Sequence, residues 1–127
     1  MDGFSVVVGA GSFRGDGVRF PHRWTDEGVS VEADFTGAHL LHLAAAGCVL
    51  NDLYREAQQL GLVLNGVRVT ASGGFDSATW VSTGITYGIE LDSTASEEER
   101  TALVARVDEV AEIPRAIRAG APVQRRD

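Results

Sequence analysis

Cys48, the single cysteine of this 127-residue sequence, is the residue best suited to covalent chemistry. A cysteine reacts as its thiolate, and an unperturbed thiol has a pKa of about 8.5. On a helix that begins near Ala38, Cys48 would lie well beyond the first turn, where the helix dipole has faded. Asp52 and Arg55 share its stripe on the helical wheel, and Asp52 would oppose ionisation whereas Arg55 would favour it. Activation would therefore require a cation from another element or another chain, and the alternative interpretation is a small buried hydrophobe.

Two histidines, His39 and His42, lie on adjacent turns of the same helix and could face one pocket. By the helical period His39 lies opposite Cys48, so neither histidine is an obvious base for the thiol of its own chain. A metal site would require a third ligand such as His22, because catalytic zinc usually has three protein ligands. We expect capped or interface histidines, no metal site and no cofactor.

Arg14 and Arg19 are the two arginines near the N-terminus that could lower the pKa of the Cys48 thiol. Arg14 lies in the turn Gly-Ser-Phe-Arg-Gly-Asp-Gly, which matches neither a P-loop nor a dinucleotide-binding loop. The alternative interpretation of Arg14 is an exposed loop arginine. Four aromatic residues could line a pocket for an apolar ligand or belong to the core: Trp24, Phe35, Tyr54 and Trp80.

The elements that must position these residues follow from periodicity and turn chemistry. Apolar and β-branched runs predict strands over 4–10, 18–24 (irregular or at an edge because of Pro21), 29–33, 62–72 and 79–91. A helix is predicted over 38–60, with Asp34 and Thr36 as candidate N-caps and Gly61 at its end, and its first half is apolar on nearly every side. Ser72, Gly73, Gly74 and Asp76 predict a hairpin loop between the last two strands. Helices are also predicted over 93–110, with a capping box from Ser96 to Glu99, and over 115–119 after Pro114. The fold class is α+β, with antiparallel strands around a long buried central helix.

The composition limits the classes of function. The length suits one domain, residues 1–127, and a net charge of −7 without any lysine argues against nucleic-acid binding. A lone cysteine excludes an internal disulfide and fits a reducing cytoplasm. No signal peptide is recognisable, and the longest apolar run is too short to span a membrane, so we expect a cytoplasmic protein. The long apolar helix is hard for this chain to cover alone, which predicts a homodimer.

The stretch from Ala38 to Gly61 resembles the central helix of the OsmC/Ohr superfamily. There, leucine-like residues, an alanine-rich turn and a small residue precede a cysteine, as in the run Ala-Ala-Ala-Gly-Cys that ends at Cys48. The segments at 62–72, 85–91, 93–99 and 107–122 follow in the order of the family. The resemblance implies an intertwined homodimer in which the helix cysteine attacks an organic hydroperoxide. It also implies a second, resolving cysteine, an arginine that positions the thiolate and, in the Ohr branch, a glutamate.

This sequence departs from that pattern at two positions. The resolving cysteine corresponds to Ala111, and the Ohr glutamate corresponds to Ala38. The arginine corresponds to Arg14 or Arg19. We therefore expect a one-cysteine thiol peroxidase in which Cys48 reduces an organic hydroperoxide and an external thiol acts as reductant. The alternatives are a catalytically degenerate homodimer that binds a small apolar ligand at its interface, and a purely structural or regulatory dimer.

Overall fold

A computed structural model describes residues 3–127, in which one five-stranded antiparallel sheet packs against a long helix. The strands are β1 (Val6–Gly11), β2 (Val18–His22), β3 (Thr25–Glu32), β4 (Gly66–Phe75) and β5 (Ser82–Asp92), in the spatial order β2-β3-β1-β4-β5. The helices are α1 (Gly37–Leu60), α2 (Glu97–Val110) and α3 (Glu112–Ala119). The α+β class predicted from the sequence is confirmed.

One face of the sheet forms the core with α1. Alternate residues of β1 and β4 are buried toward the helix, because successive side chains of a strand point to opposite faces. The residues on this face are Val6, Val8, Ala10, Val67, Val69 and Ala71. The irregular edge strand predicted around Pro21 is β2, whose pairing with β3 shifts between Phe20 and His22. The central strands thus give α1 a flat apolar surface.

Helix α1 begins and ends close to the predicted residues. The side chain of Thr36 caps its N-terminus by accepting from the backbone N–H of His39 at 3.1 Å, and Gly61 ends it with a φ of 71°. Burial along the helix differs from the expectation. Leu40 and Ala44 in the apolar first half are exposed in the single chain. The more polar second half packs against α2 and α3 and buries Asp52, Leu53, Tyr54, Glu56 and Ala57.

The hairpin between β4 and β5 lies later in the chain than the predicted loop at 72–76. Gly73 belongs to β4, where a Cβ atom would lie 2.2 Å from the carbonyl oxygen of Gly84 and 2.6 Å from Nε2 of His42. The glycine is therefore required by close packing rather than by a turn. The actual loop begins at Asp76, whose carboxylate accepts from the N–H groups of Ala78 and Thr79.

The last two helices meet at Ala111, which ends α2 and precedes α3. The predicted capping box is present, since Ser96 accepts from the N–H of Glu99 and Glu99 accepts from the N–H of Ser96. Helix α3 begins at Glu112, three residues before the predicted start, because Pro114 fits within a first helical turn. None of the helices in residues 3–127 has the length and apolarity needed to cross a membrane.

Candidate functional site

Cys48 is half-buried on α1 and faces the beginning of α3. The backbone N–H groups of Ile113 and Glu112 face its sulfur and lower the pKa of the thiol. Both belong to the first turn of α3, where backbone N–H groups lack partners within the helix. The positive end of a helix dipole thus faces the sulfur and favours its anionic form. Cys48 is far from the start of its own helix, but the fold brings it to the start of another.

Asp52 is the side chain on α1 that contacts the thiol. Its Oδ2 atom lies 3.9 Å from Sγ of Cys48, one helical turn away. The Asp52 side chain is fully buried, and two neighbours on the helix hold it. Nη2 of Arg55 lies 3.1 Å from Oδ2, and Nδ2 of Asn51 donates to Oδ1 at 3.2 Å. The carboxylate is therefore fixed beside the sulfur, as the shared helical stripe predicts.

Burial and charge together keep Cys48 in its thiol form. Burial raises the pKa of the Cys48 thiol, and the negative charges of Asp52 and Glu112 raise it further, against the opposing effect of the α3 amides. Burial also raises the pKa of Asp52, although Asn51 and Arg55 counteract part of that effect. The net effect of burial and the carboxylates thus favours the neutral thiol over the thiolate.

Arg55 does not activate the thiol in this chain, because carboxylates engage it. Besides Asp52, its Nε atom donates to Oε2 of Glu56 at 3.2 Å. Glu56 is itself buried and accepts from Nε of Arg106 on α2 at 3.1 Å. Burial opposes ionisation of Glu56, but the hydrogen bonds from Arg106 and Arg55 leave its pKa lowered overall. Around the second half of α1, buried carboxylates thus alternate with partly exposed arginines, and Arg55 is paired rather than available to the thiol.

Arg14 and Arg19 lie away from Cys48 in the single chain. Arg14 forms an ion pair with Glu27 and lines a cavity of about 190 Å³ together with Val7 and Gly9. Those β1 residues alternate with the ones that face α1, so Arg14 lies on the opposite face of the sheet. Arg19 is exposed on the edge strand β2. Neither arginine is among the groups that shift the Cys48 pKa, so a role for either remains a prediction that requires a second chain.

The three histidines have different polar partners. His22 interacts with Thr25 and with Oδ1 of Asn51, and His39 interacts with the hydroxyl of Thr36. His42 is fully buried, and its Nδ1 atom donates to the carbonyl of Ala38 at 2.6 Å. Within residues 3–127, Nε2 of His42 has no hydrogen-bond partner. The structure therefore brings no histidine to the thiol.

One group of potential metal-ligand atoms occurs among the described residues. Cys48, Asp52 and Glu112 each offer one such atom, and these atoms lie within 4.8 Å of one another. Arg55 and Asn51 already occupy the Asp52 carboxylate, and no histidine joins the group. We therefore assign these side chains to the chemistry of the thiol and not to a metal.

The two alanines that replace family residues have different places. Ala111 is fully buried and immediately precedes Glu112, whose amide faces the Cys48 sulfur. The position of the missing resolving cysteine is thus next to the site. Ala38 lies in the first turn of α1, where its carbonyl accepts from His42.

A cavity of about 280 Å³ lies between α1, β5 and α3. Ala45, one turn before Cys48, and Pro114, next to Ile113, both line it. The rest of its wall is mainly apolar with a polar end: Ser82, Gly84, Ile85, Tyr87, Ile117 and Arg118. The sequence interpretation missed this cavity because its wall depends on where α3 packs. Of the aromatic candidates, Trp24 and Tyr54 line a different cavity, and Phe35 and Trp80 are exposed.

The fold and site define an α+β protein whose central helix presents one cysteine to the start of a C-terminal helix. The sequence profile of the family described as OsmC-like protein matches residues 29–125. The chain therefore belongs to the OsmC-like protein family. No curated protein matches the chain.

Two crystal structures share the fold. An OsmC-like protein from Mycoplasma pneumoniae is 14% identical, with a TM-score of 0.60 over 73% of this chain and 80% of that one. An OsmC-like hydroperoxide resistance protein from Jannaschia sp. CCS1 is 16% identical, with a TM-score of 0.55 over 97% of this chain and 92% of that one. At these identities the likeness concerns the fold alone.

A cysteine introduced at Ala111 tests the geometry of the site. We expect Ala111→Cys to form an intramolecular disulfide with Cys48 on mild oxidation with diamide, because residue 111 directly precedes an amide that contacts the sulfur. Ala116→Cys, at an exposed position of α3, is the matched control. Intact mass and peptide mapping under non-reducing conditions measure the bond. Equal cross-linking in both variants would contradict the arrangement of α1 and α3.

Proposed function

We propose that this protein reduces organic hydroperoxides through Cys48, with an external thiol as reductant. The observation that carries the proposal is the half-buried sulfur that faces the backbone N–H groups at the start of α3. Membership of the OsmC-like family supports it, as does the hydroperoxide resistance named for the Jannaschia neighbour.

The reaction proceeds in two stages. The Cys48 sulfur attacks the terminal oxygen of the hydroperoxide, so a sulfur–oxygen bond forms, the oxygen–oxygen bond breaks, and an alcohol leaves. Cys48 becomes a sulfenic acid, oxidised by two electrons. Because the chain has no second cysteine, an external thiol displaces water to form a mixed disulfide, and a second external thiol then releases Cys48.

A homodimer is part of the proposal. Leu40 and Ala44 on α1 are exposed, and so are Phe35, which precedes α1, and Trp80, which precedes β5. A second copy of the chain would cover such apolar surface. It would also bring further side chains to the site, and Arg14 or Arg19 of that copy is the proposed source of a cation that partly offsets burial and the two carboxylates at the thiol.

Replacement of the cysteine tests the activity directly. We expect the wild-type protein to consume cumene hydroperoxide in the presence of dithiothreitol and Cys48→Ser to lose that activity, because the attacking sulfur is gone. The matched control adds Ala105→Cys to Cys48→Ser, which places an exposed thiol on α2. We expect this control to remain at the level of Cys48→Ser. Undiminished consumption by Cys48→Ser would overturn the proposal.

Ligand binding is the second candidate function, and the cavity between α1, β5 and α3 favours it. Its apolar wall and its polar end at Arg118 suit a small amphipathic molecule. We expect anilinonaphthalene sulfonate to bind there and Ile117→Trp, which fills the cavity, to weaken binding at least about tenfold. Val123→Trp, in the exposed C-terminal segment, is the control. Equal fluorescence titrations for the two variants would contradict this second function.

A further inference from the structure

The thiol of Cys48 has a fixed carboxylate as its hydrogen-bond acceptor. Oδ2 of Asp52 lies 3.9 Å from Sγ, and the four-residue spacing on α1 places the two side chains on one stripe. From the geometry we infer that Asp52 is the proton acceptor of Cys48 when the sulfur attacks a peroxide. This inference rests on the proposed function and adds to it the base that the reaction requires.

Asp52 is well placed for this role because its other contacts orient it. Asn51 donates to Oδ1, and Arg55 contacts Oδ2, the atom nearest the sulfur. Arg55 is held in turn by Glu56, which Arg106 of α2 also contacts. The carboxylate therefore does not have to reorient before it accepts a proton.

Glu112 is the other carboxylate that faces the sulfur, and it is less suited to the role. An oxygen of Glu112 lies within 4.8 Å of both Sγ and Asp52, but the residue is exposed at the start of α3. Arg55 forms an ion pair with Asp52 at 3.1 Å and interacts more weakly with Glu112. The charged and polar groups around the thiol are thus Asp52, Glu112 and the two amides of α3, with Arg55 and Glu56 behind Asp52.

The step balances with these groups. As the sulfur–oxygen bond forms, the thiol proton moves to Oδ2 of Asp52, while the electron pair of the breaking oxygen–oxygen bond goes to the leaving alkoxide. The proton on Asp52 then passes to that alkoxide, which leaves as an alcohol, and Asp52 is again a carboxylate. Sulfur is oxidised by two electrons and the peroxide is reduced by two. The amides of Ile113 and Glu112 stabilise the negative charge that develops on the sulfur.

Such a base makes Cys48 reactive at pH values where almost no free thiolate exists. The reactive form of the protein has an ionised Asp52 carboxylate and a protonated Cys48 thiol. Its concentration is therefore constant at pH values between the pKa of Asp52 and that of Cys48. The rate should therefore rise through the Asp52 ionisation, reach a plateau, and rise again when the thiolate forms. Without the base, the rate follows the thiolate fraction alone.

The experiment compares Asp52→Asn with Glu112→Gln, because each removes one negative charge near the sulfur and only the first removes the acceptor. The full-length protein is treated with iodoacetamide and, separately, with cumene hydroperoxide. The rate of Cys48 modification is measured by mass spectrometry from about pH 4 to about pH 10. We expect wild type and Glu112→Gln to show the plateau. We expect Asp52→Asn to lose it and to react at least about tenfold more slowly at neutral pH.

The opposite result for Asp52→Asn would overturn the inference. If Asp52 only opposes ionisation, its removal lowers the thiol pKa and makes the protein react faster at neutral pH. The same change is expected for Glu112→Gln, because Glu112 also raises the thiol pKa. A plateau with iodoacetamide but no reaction with the peroxide would retain the proton acceptor and reject the proposed function. Peroxide reduction without any plateau would reject Asp52 as the proton acceptor and retain the proposed function.

A second variant covers the case in which Asp52→Asn does not fold. Arg55 lowers the pKa of Asp52, so Arg55→Gln should move the acid limb of the plateau to higher pH. Arg100→Gln, on α2, is the control. An unchanged acid limb in Arg55→Gln would contradict the role of Asp52.

Discussion

The packing of α3 against α1 is the contact on which the candidate site depends. It brings the first backbone N–H groups of α3 to the sulfur of Cys48, and it buries Asp52 at the same place. The sheet packs against one side of α1 through β1 and β4. Helix α2 ends at Val110, so that α3 begins at Glu112 beside α1. If α3 moved away, the thiol would lose its amide donors and Asp52 would gain water.

The site combines two opposing electrostatic effects. The N-terminus of α3 favours a negative sulfur, whereas burial and two carboxylates favour the neutral thiol. The balance leaves Cys48 protonated, and the buried carboxylate that contributes to this outcome is also the nearest acceptor for the proton. The ion pairs of Arg55 with Asp52 and Glu56 let these carboxylates stay within the protein. The same pairs keep Arg55 from acting on the thiol.

Features set by local sequence could be predicted. Thr36, Gly61 and the Ser96–Glu99 capping box mark helix ends through contacts within a few residues, and each was correctly predicted. The OsmC-like family followed from the helix around Cys48, and the sequence profile confirms it. The shared stripe of Cys48, Asp52 and Arg55 also follows from the helical period. The loop predicted around Gly73 was wrong because this glycine serves close packing against Gly84 and His42.

Features set by distant packing could not be predicted. The burial of Asp52 and the pairing of Glu56 with Arg106 depend on where α2 and α3 lie, and no local pattern encodes that. The amides that contact Cys48 belong to backbone, so side-chain types give no signal for them. The position of Arg14 on the far face of the sheet likewise depends on strand order. A useful signal was the match of Ala111 to the resolving cysteine, which pointed to the start of α3.

The ionisation of the thiol tests the central claim, that burial and carboxylates outweigh the α3 amides at Cys48. The ultraviolet absorbance of the thiolate, measured against pH as the difference between wild type and Cys48→Ser, reports this single group. Tyrosine does not interfere, because burial raises the pKa values of Tyr54 and Tyr87 to about 12. The account predicts a midpoint above the ordinary thiol pKa of about 8.5, because burial and the carboxylates raise it. A midpoint well below that value would contradict the account and would mean that a cation outweighs burial and the carboxylates at the thiol.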